Sequence, residues 1–246
     1  MRKKGQVSLF IILGIIIIIT TSIVIIVKNN EIKGIYNEKV KGYINSEIQL
    51  TPLKSFVESC IEKIGYDSIV YVGKQGGYYN PPNNSIGNTP YYFINNKSTM
   101  PSKITIEKEI SKYLDDQLFF CTRNFIDFPE LSIIQEPSIT KTTILDNKIV
   151  FNTKYNLKIF KGDSEYSLNN FNSESNIRLG VIYNSISEII KDQTNNTDSI
   201  CISCINNLIN KNKIYIQIDN IDDQTMIFTV IDNNPSYEFI FANKYE

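Results

Sequence analysis

The 246-residue chain contains no histidine and no tryptophan. Without histidine, the Ser-His-Asp and Cys-His catalytic arrangements are excluded and the commonest metal ligand is absent. No Walker, Gly-x-Ser-x-Gly, Ser-x-x-Lys or His-Glu pattern occurs either. The sequence therefore favours a protein that is not an enzyme and that uses no metal or cofactor.

Neither sign of charge dominates the chain, since 25 Lys and Arg residues balance 26 Asp and Glu residues. Proteins that bind nucleic acid usually carry a basic patch or tail, because contacts to phosphates supply much of their affinity. The sequence shows no dominant patch of this kind. We therefore expect no nucleic-acid partner.

One long apolar run interrupts this balanced composition. Residues 7–27 form 21 positions without a charge, and a helix of that length rises about 31 Å, enough to span the hydrocarbon core of a bilayer. Arg2, Lys3 and Lys4 precede the run, so the positive-inside rule places the N-terminus in the cytoplasm. The sequence predicts a single-pass membrane protein with an extracellular C-terminal domain. A cleaved secretory signal is disfavoured, because its apolar core would have only about 7–15 residues.

The junction before the run has the sequence Lys-Lys-Gly-Gln-Val-Ser at residues 3–8. It resembles the class III signal peptide of archaeal type IV pilins and related filament subunits, over residues 1–27. The resemblance implies that a prepilin-type peptidase cuts between Gly5 and Gln6. The apolar helix would then be kept and would pack with copies of itself or with other pilin-like subunits. Many of these subunits carry Glu where this chain has Phe10, so an uncleaved surface anchor that binds another protein or an extracellular ligand stays the alternative.

The rest of the chain falls into three segments after the signal-like and membrane segment 1–28. Residues 29–50 mix charged residues with scattered Ile and Tyr and contain two glycines, which predicts a weak helical stalk. Residues 51–130 are predicted to form the helical part of the ectodomain, and residues 131–246 its sheet part. The predicted fold class is α+β: an N-terminal transmembrane helix, a helical pair, then an antiparallel sheet with two further helices.

The helical pair is predicted from apolar residues that recur at helical spacing. Thr-Pro at residues 51–52 is typical of a helix start, and the pattern continues to about residue 72. Two glycines at 76–77 end this helix, and residues 78–101 are predicted to be a long loop. The second helix is predicted over residues 103–124.

The sheet part shows alternating apolar residues and polar turns. Residues 138–160 predict a β-hairpin, and the two further helices are predicted to be capped by Ser175 and Asp198. The remaining strands are predicted over residues 165–168, 213–219, 225–232 and 237–242.

Four cysteines lie after the apolar run: Cys60, Cys121, Cys201 and Cys204. An even number in an oxidising compartment favours disulfides, and four cysteines allow three pairings. Cys60 and Cys121 each fall on an apolar helical stripe, which favours a bridge between the two helices and leaves Cys201 with Cys204. The Cys-x-x-Cys spacing of the second pair also fits a zinc or redox site. Structural disulfides are the preferred interpretation.

Residues 75–79 form the most unusual short string of the ectodomain, with the sequence Gln75-Gly76-Gly77-Tyr78-Tyr79. One interpretation is a helix C-cap, because glycine accepts the left-handed conformation that such caps need. The other is a tyrosine-rich contact surface, continued by Tyr91 and Tyr92, since tyrosine is enriched at interfaces.

Three sequons and two acidic groups complete the candidate sites. The sequons begin at Asn83, Asn96 and Asn195, in polar stretches where glycans would be tolerated. Asp115 and Asp116 are expected on a solvated helix face. The acidic residues Asp219, Asp222 and Asp223 are predicted to form a polar turn, with a weak calcium site as the alternative.

Overall fold

The computed structural model describes residues 50–197 and 199–245. The predicted membrane helix, the stalk up to residue 49, the Gly5-Gln6 junction and Asp198 lie outside the described residues. Within residues 50–197 and 199–245, no helix is long and apolar enough to cross a membrane. Residues 53–246 form one compact unit with an α+β fold.

The two predicted helices of the first part are confirmed. Helix α1 covers residues 50–74 and ends in a turn at residues 75–77. Helix α2 spans Lys103–Thr122 and is followed by a 3-10 turn at Arg123–Phe125. Ser102 caps α2, because its hydroxyl accepts the N–H of Thr105 at 3.1 Å. Thr51 lies inside α1 rather than at its cap, since residue 50 is already helical.

Two further helices interrupt the strands, as predicted. Helix α3 spans Leu179–Asn195 and helix α4 spans Ile202–Asn212. The predicted cap at Ser175 is wrong, because Ser175 ends a strand and Arg178, at the cap position of α3, makes no side-chain cap bond. The residue that caps α4 is Cys201, whose sulfur accepts the N–H of Cys204.

The strands form two sheets, not the single sheet that was predicted. The first sheet has the order β1-β2-β10-β9-β8, with β3 also paired to β2. Its strands are β1 (Ser85–Ile86), β2 (Thr89–Ile94), β3 (Lys97–Ser98), β8 (Tyr215–Asn220), β9 (Thr225–Asn233) and β10 (Ser236–Lys244). In the second sheet, β6 pairs with all three other strands. These strands are β4 (Ser132–Gln135), β5 (Ile139–Ile144), β6 (Ile149–Lys161) and β7 (Ser164–Ser175).

The predicted loop at residues 78–101 contains three of these strands, so that prediction is wrong. Strand β2 pairs in parallel with β10 near the other end of the chain, with Tyr91 opposite Ala242. The sheet is therefore not purely antiparallel. The prolines around β2 suggested a loop, yet the aromatic side chains of Tyr92 and Phe93 are fully buried and supply the driving force for the strand.

Helix α1 lies against both sheets. An added Cβ on Gly65 would lie 2.6 Å from the ring of Phe151 in β6, so only glycine allows this close approach. One helical turn after Gly65, α1 meets β10, where the Tyr237 hydroxyl donates to the Ile69 carbonyl at 3.4 Å. In the core of the first sheet, the rings of Phe228 and Phe241 stack with their centroids 4.9 Å apart. The central position of α1 explains why its apolar stripe is continuous.

Helix α2 protects the edge of the second sheet. Strand β5 pairs only with β6, so its outer N–H groups need other partners. The side chains of Glu107, Ser111 and Asp115 supply them: they accept the backbone N–H groups of Ile144, Thr142 and Thr140 at 2.8, 3.1 and 3.0 Å. The acceptors are four residues apart on the helix and the donors two apart on the strand, so one helix face matches the strand period.

A buried ion pair joins the start of α3 to the first sheet. The Nε and Nη2 atoms of Arg178 donate to the two carboxylate oxygens of Asp232 at 2.8 and 3.0 Å. The Asp232 side chain is 2% exposed. Planar guanidinium groups suit this two-point contact. The pair fixes the helix against strand β9.

Candidate functional site

The Gln75–Tyr79 segment, which was predicted as a contact loop or a helix cap, forms the C-cap of α1. The N–H of Gly77 donates to the Val72 carbonyl at 2.8 Å, and the Gln75 amide donates to the carbonyls of Tyr78 and Tyr79 at 3.4 and 3.2 Å. Gln75 is 7% exposed. These bonds satisfy the last carbonyls of the helix and the first of the loop.

The two glycines of this cap are required by conformation and by space. Gly76 and Gly77 have φ angles of 56° and 84°. An added Cβ would lie 2.5 Å from Pro90 at Gly76 and 2.8 Å from Ile106 at Gly77. Gly76 also accepts a hydrogen bond from the Tyr92 hydroxyl at 2.9 Å. The segment from Gln75 to Gly77 is therefore a packed junction of α1, β2 and α2 rather than a surface.

A group of tyrosines beside this junction does reach the surface, and we call Tyr71, Tyr79 and Tyr113 the tyrosine patch. The ring centroid of Tyr113 lies 5.0 Å from that of Tyr71 and 5.2 Å from that of Tyr79. Tyr71 is 43% exposed, and the Lys112 ammonium lies 5.6 Å from the Tyr79 ring centroid. The patch joins the end of α1 to the middle of α2.

The tyrosine patch is held in place by charged neighbours. The Glu109 carboxylate accepts the Tyr79 N–H at 2.8 Å. Burial raises the pKa of the Tyr113 hydroxyl, and the nearby Asp67 carboxylate adds to this effect. The Tyr113 hydroxyl therefore stays protonated. The patch offers aromatic rings with hydrogen-bonding edges, which suits contact with another protein. Tyr92 does not extend the patch, since it is fully buried.

A second exposed group was missed by sequence reasoning, and we call Phe119, Phe120 and Ile126 the apolar end. Their exposed fractions are 49%, 68% and 63%. They flank the 3-10 turn, where Arg123, Asn124 and Phe125 all have positive φ angles. Phe125 points inward, 3% exposed. The signal in the sequence was the adjacent pair of phenylalanines after the stripe, since neighbouring helix residues cannot both face the core.

The apolar end lies at the end of the domain where α1 begins. The ring centroid of Phe56 in α1 lies 6.3 Å from that of Phe125 and 5.3 Å from that of Phe128. The disulfide between Cys60 and Cys121 lies one helical turn farther along α1, with its Cα atoms 5.7 Å apart. The same short stretch of α1 therefore meets both the bridge and the 3-10 turn.

Both preferred cysteine pairings are present in the structure. Cys60 is bonded to Cys121, and Cys201 to Cys204, whose Cα atoms are 5.2 Å apart. The described residues contain no free cysteine. In this oxidised state the four sulfurs are not available to a zinc ion.

The acidic groups divide into one that contains a partly buried carboxylate and one that forms a turn. Asp115 does not belong to a solvated face: it accepts hydrogen bonds from Ser138 and Thr140, and burial raises the pKa of its carboxyl against those bonds. Asp116 is exposed. At the β8–β9 turn, Asp222 accepts the N–H groups of Gln224 and Thr225, which lower the pKa of its carboxyl. The polar-turn interpretation accounts for these bonds.

The three predicted glycosylation positions are exposed. Asn83 precedes strand β1, Asn96 lies in the turn between β2 and β3, and Asn195 is the last residue of α3. All three are therefore accessible to a glycan.

Comparison with known proteins adds no relative: no protein-family model, no curated protein and no solved structure matches the chain.

Proposed function

We propose that the chain is a membrane-anchored extracytoplasmic protein, a pilin-like filament subunit or minor pilin. The observation that carries the proposal is the uncharged run at residues 7–27 directly after Lys-Lys-Gly-Gln at residues 3–6. In this proposal, a prepilin-type peptidase removes residues 1–5. The helix that follows is retained and packs with other subunits, while the α+β domain lies outside the cell.

Three features of the domain support this proposal. Two disulfides are typical of proteins in an oxidising compartment. The sequon positions are exposed. The apolar end presents exposed aromatic and aliphatic groups beside the start of α1. Such groups suit contact with a membrane or with a neighbouring subunit.

The test is the mass of the N-terminal peptide of the protein extracted from its native membrane. A chain that begins at Gln6 supports processing by a prepilin-type peptidase, and a chain that begins at Met1 contradicts it. A Gly5→Val variant provides the matched control, because a β-branched residue at the cut should block processing and leave membrane insertion unchanged. Loss of insertion in this variant would contradict the assignment of residues 7–27 as the anchor.

The second candidate is an uncleaved single-span protein that binds a partner protein through its domain. The tyrosine patch favours it, because rigid exposed tyrosines are enriched at protein interfaces. Phe10, where many filament subunits carry Glu, favours it as well. An intact Met1, together with a partner whose cross-linking is lost in Tyr71→Ser but kept in Tyr215→Ser, would support this candidate. Tyr215 is the control because it is exposed and belongs to β8.

A further inference from the structure

The disulfide between Cys201 and Cys204 lies at the start of helix α4, and its surroundings differ from those of the other bridge. The Cys201 sulfur accepts the backbone N–H of Cys204 at 3.2 Å and lies 3.5 Å from the Ser203 hydroxyl. Both cysteines are partly exposed, whereas in the other bridge Cys60 is 3% exposed and Cys121 alone is partly exposed. N–H donors at the first turn of a helix stabilise a thiolate, so Cys201 is the better leaving group of the pair.

A carboxylate from another helix reaches the same bridge. A carboxylate oxygen of Asp192 in α3 and the sulfurs of Cys201 and Cys204 all lie within 4.8 Å of one another. The other charged groups that line this place are Glu188 of α3 and Lys211 of α4, whose charged atoms are 4.0 Å apart. Asp192 is therefore near enough to the sulfurs to accept or return a proton.

The bridge also lines a cleft between α3 and α4. The cleft has a volume of about 370 Å³, which is at the lower end of the size range for ligand pockets. Its apolar walls are Ile189, Ile200, Ile205 and Leu208. A cleft of this size holds one or two side chains of a peptide, and its rim carries both signs of charge.

The Cys201–Cys204 bridge should contribute less to stability than the other bridge does. It closes a sequence separation of 3, against 61 for the Cys60–Cys121 bridge. In the chain-entropy treatment, a disulfide stabilises the folded protein by lowering the entropy of the unfolded chain, and this effect is smallest for short loops. A covalent bond that stabilises little, beside a carboxylate and a cleft, needs another explanation.

We propose that Cys201 and Cys204 form a thiol–disulfide exchange site whose substrate is a peptide that carries two thiols. This activity is independent of the proposed membrane anchor. The first substrate thiolate attacks the Cys204 sulfur, the Cys201–Cys204 bond breaks, and its electron pair leaves on the Cys201 sulfur, next to the Cys204 N–H. Asp192 holds the proton that the first substrate thiol gives up.

The second half of the reaction completes the balance of atoms and electrons. The second substrate thiolate attacks the substrate sulfur of the mixed disulfide and displaces the Cys204 thiolate. The substrate leaves as a disulfide, oxidised by two electrons, and the protein is reduced by two electrons to a dithiol. The two substrate protons end on Cys201 and Cys204. The reverse sequence reduces a substrate disulfide.

The test uses the full chain in detergent under native conditions and a synthetic peptide that carries two cysteines as the probe. Alkylation followed by mass spectrometry measures the reduction of each bridge over time. The expected result is that Cys201–Cys204 exchanges more than tenfold faster than Cys60–Cys121, and faster with the dithiol peptide than with glutathione at equal thiol concentration. Equal rates for the peptide and glutathione would overturn the assignment of a peptide cleft.

Two variants test the role of the carboxylate. Asp192→Asn should slow exchange about tenfold, whereas Asp219→Asn, a substitution of an acidic residue of β8, should leave the exchange rate unchanged. A free peptide with the sequence of residues 199–206 is the reference for an unassisted bridge. The proposal is overturned if the folded chain exchanges no faster than this peptide, or if the two variants behave alike.

Discussion

The two disulfides should contribute very differently to the stability of the domain, although their chemistry is the same. They join residues that are 61 and 3 positions apart. The chain-entropy treatment then gives about 4.3 kcal/mol for Cys60–Cys121 and about 1.6 kcal/mol for Cys201–Cys204. The difference depends only on the ratio of the two loop lengths and is roughly 2.7 kcal/mol. We therefore expect removal of the first bridge to cost clearly more than removal of the second.

The perturbations are two double variants, Cys60→Ala with Cys121→Ala, and Cys201→Ala with Cys204→Ala. Far-UV circular dichroism during denaturant unfolding reports the free energy of unfolding, and it suits a chain without tryptophan. Because Cys60 is 3% exposed, the loss of its buried sulfur adds to the cost of the first variant. Equal losses in the two variants would refute the reasoning. They would show that the unfolded chain already holds the two helices together.

Three further predictions concern other parts of the domain. Arg178→Met leaves the Asp232 carboxylate, 2% exposed, without its partner and should cost about 3 kcal/mol in the same unfolding assay, and adding Asp232→Asn should recover part of that loss. Gly77→Ala, at φ 84° with a neighbouring atom 2.8 Å from the new Cβ, should cost at least about 2 kcal/mol, whereas Gly87→Ala, at φ 59° in open space, should cost about 1 kcal/mol. Asp115→Asn removes a carboxyl whose pKa is raised above 3.8 in the folded chain. Because the folded chain binds this proton more tightly than the unfolded chain does, the unsubstituted protein should lose stability relative to the variant as the pH rises from 3.8 through the raised pKa. Denaturant unfolding of both proteins at several pH values tests this. A difference in stability that does not change with pH would contradict the prediction.

The helices were predictable because their signals are local. Apolar spacing, the glycine pair at 76–77 and the stripe positions of Cys60 and Cys121 were enough to predict α1, α2 and the bridge between them. Strand β2 was not predictable in this way. It is short, it contains Pro90, and it is stabilised by pairing with β10 about 150 positions later, which no local pattern reveals.

The candidate sites show the same division between local and distant information. The cap at Gly76 and Gly77 follows from glycine chemistry, so the sequence suggested it correctly. The role of Asp115 depends on the spacing of β5 against α2, and a helix residue cannot signal a strand from elsewhere in the chain. The nearness of Asp192 to Cys201 likewise arises only when α3 and α4 pack. Pairs across elements need the tertiary fold.

In the proposed anchored protein, the position of the Cys60–Cys121 bridge has a mechanical consequence. Any pull on such a protein enters the domain through α1, because α1 is its first described element. The contacts of Phe56 with Phe125 and Phe128 lie before the covalent bridge at Cys60 along α1 and would bear that load earlier than the bridge does. Beyond Cys60 the load passes directly to α2, which is bonded along β5 by three side chains. The residues between Cys60 and Cys121, including the packed junction at Gly76 and Gly77, are therefore shielded from the pull. A bridge at the start of α1 protects the domain in a way that a bridge at its far end could not.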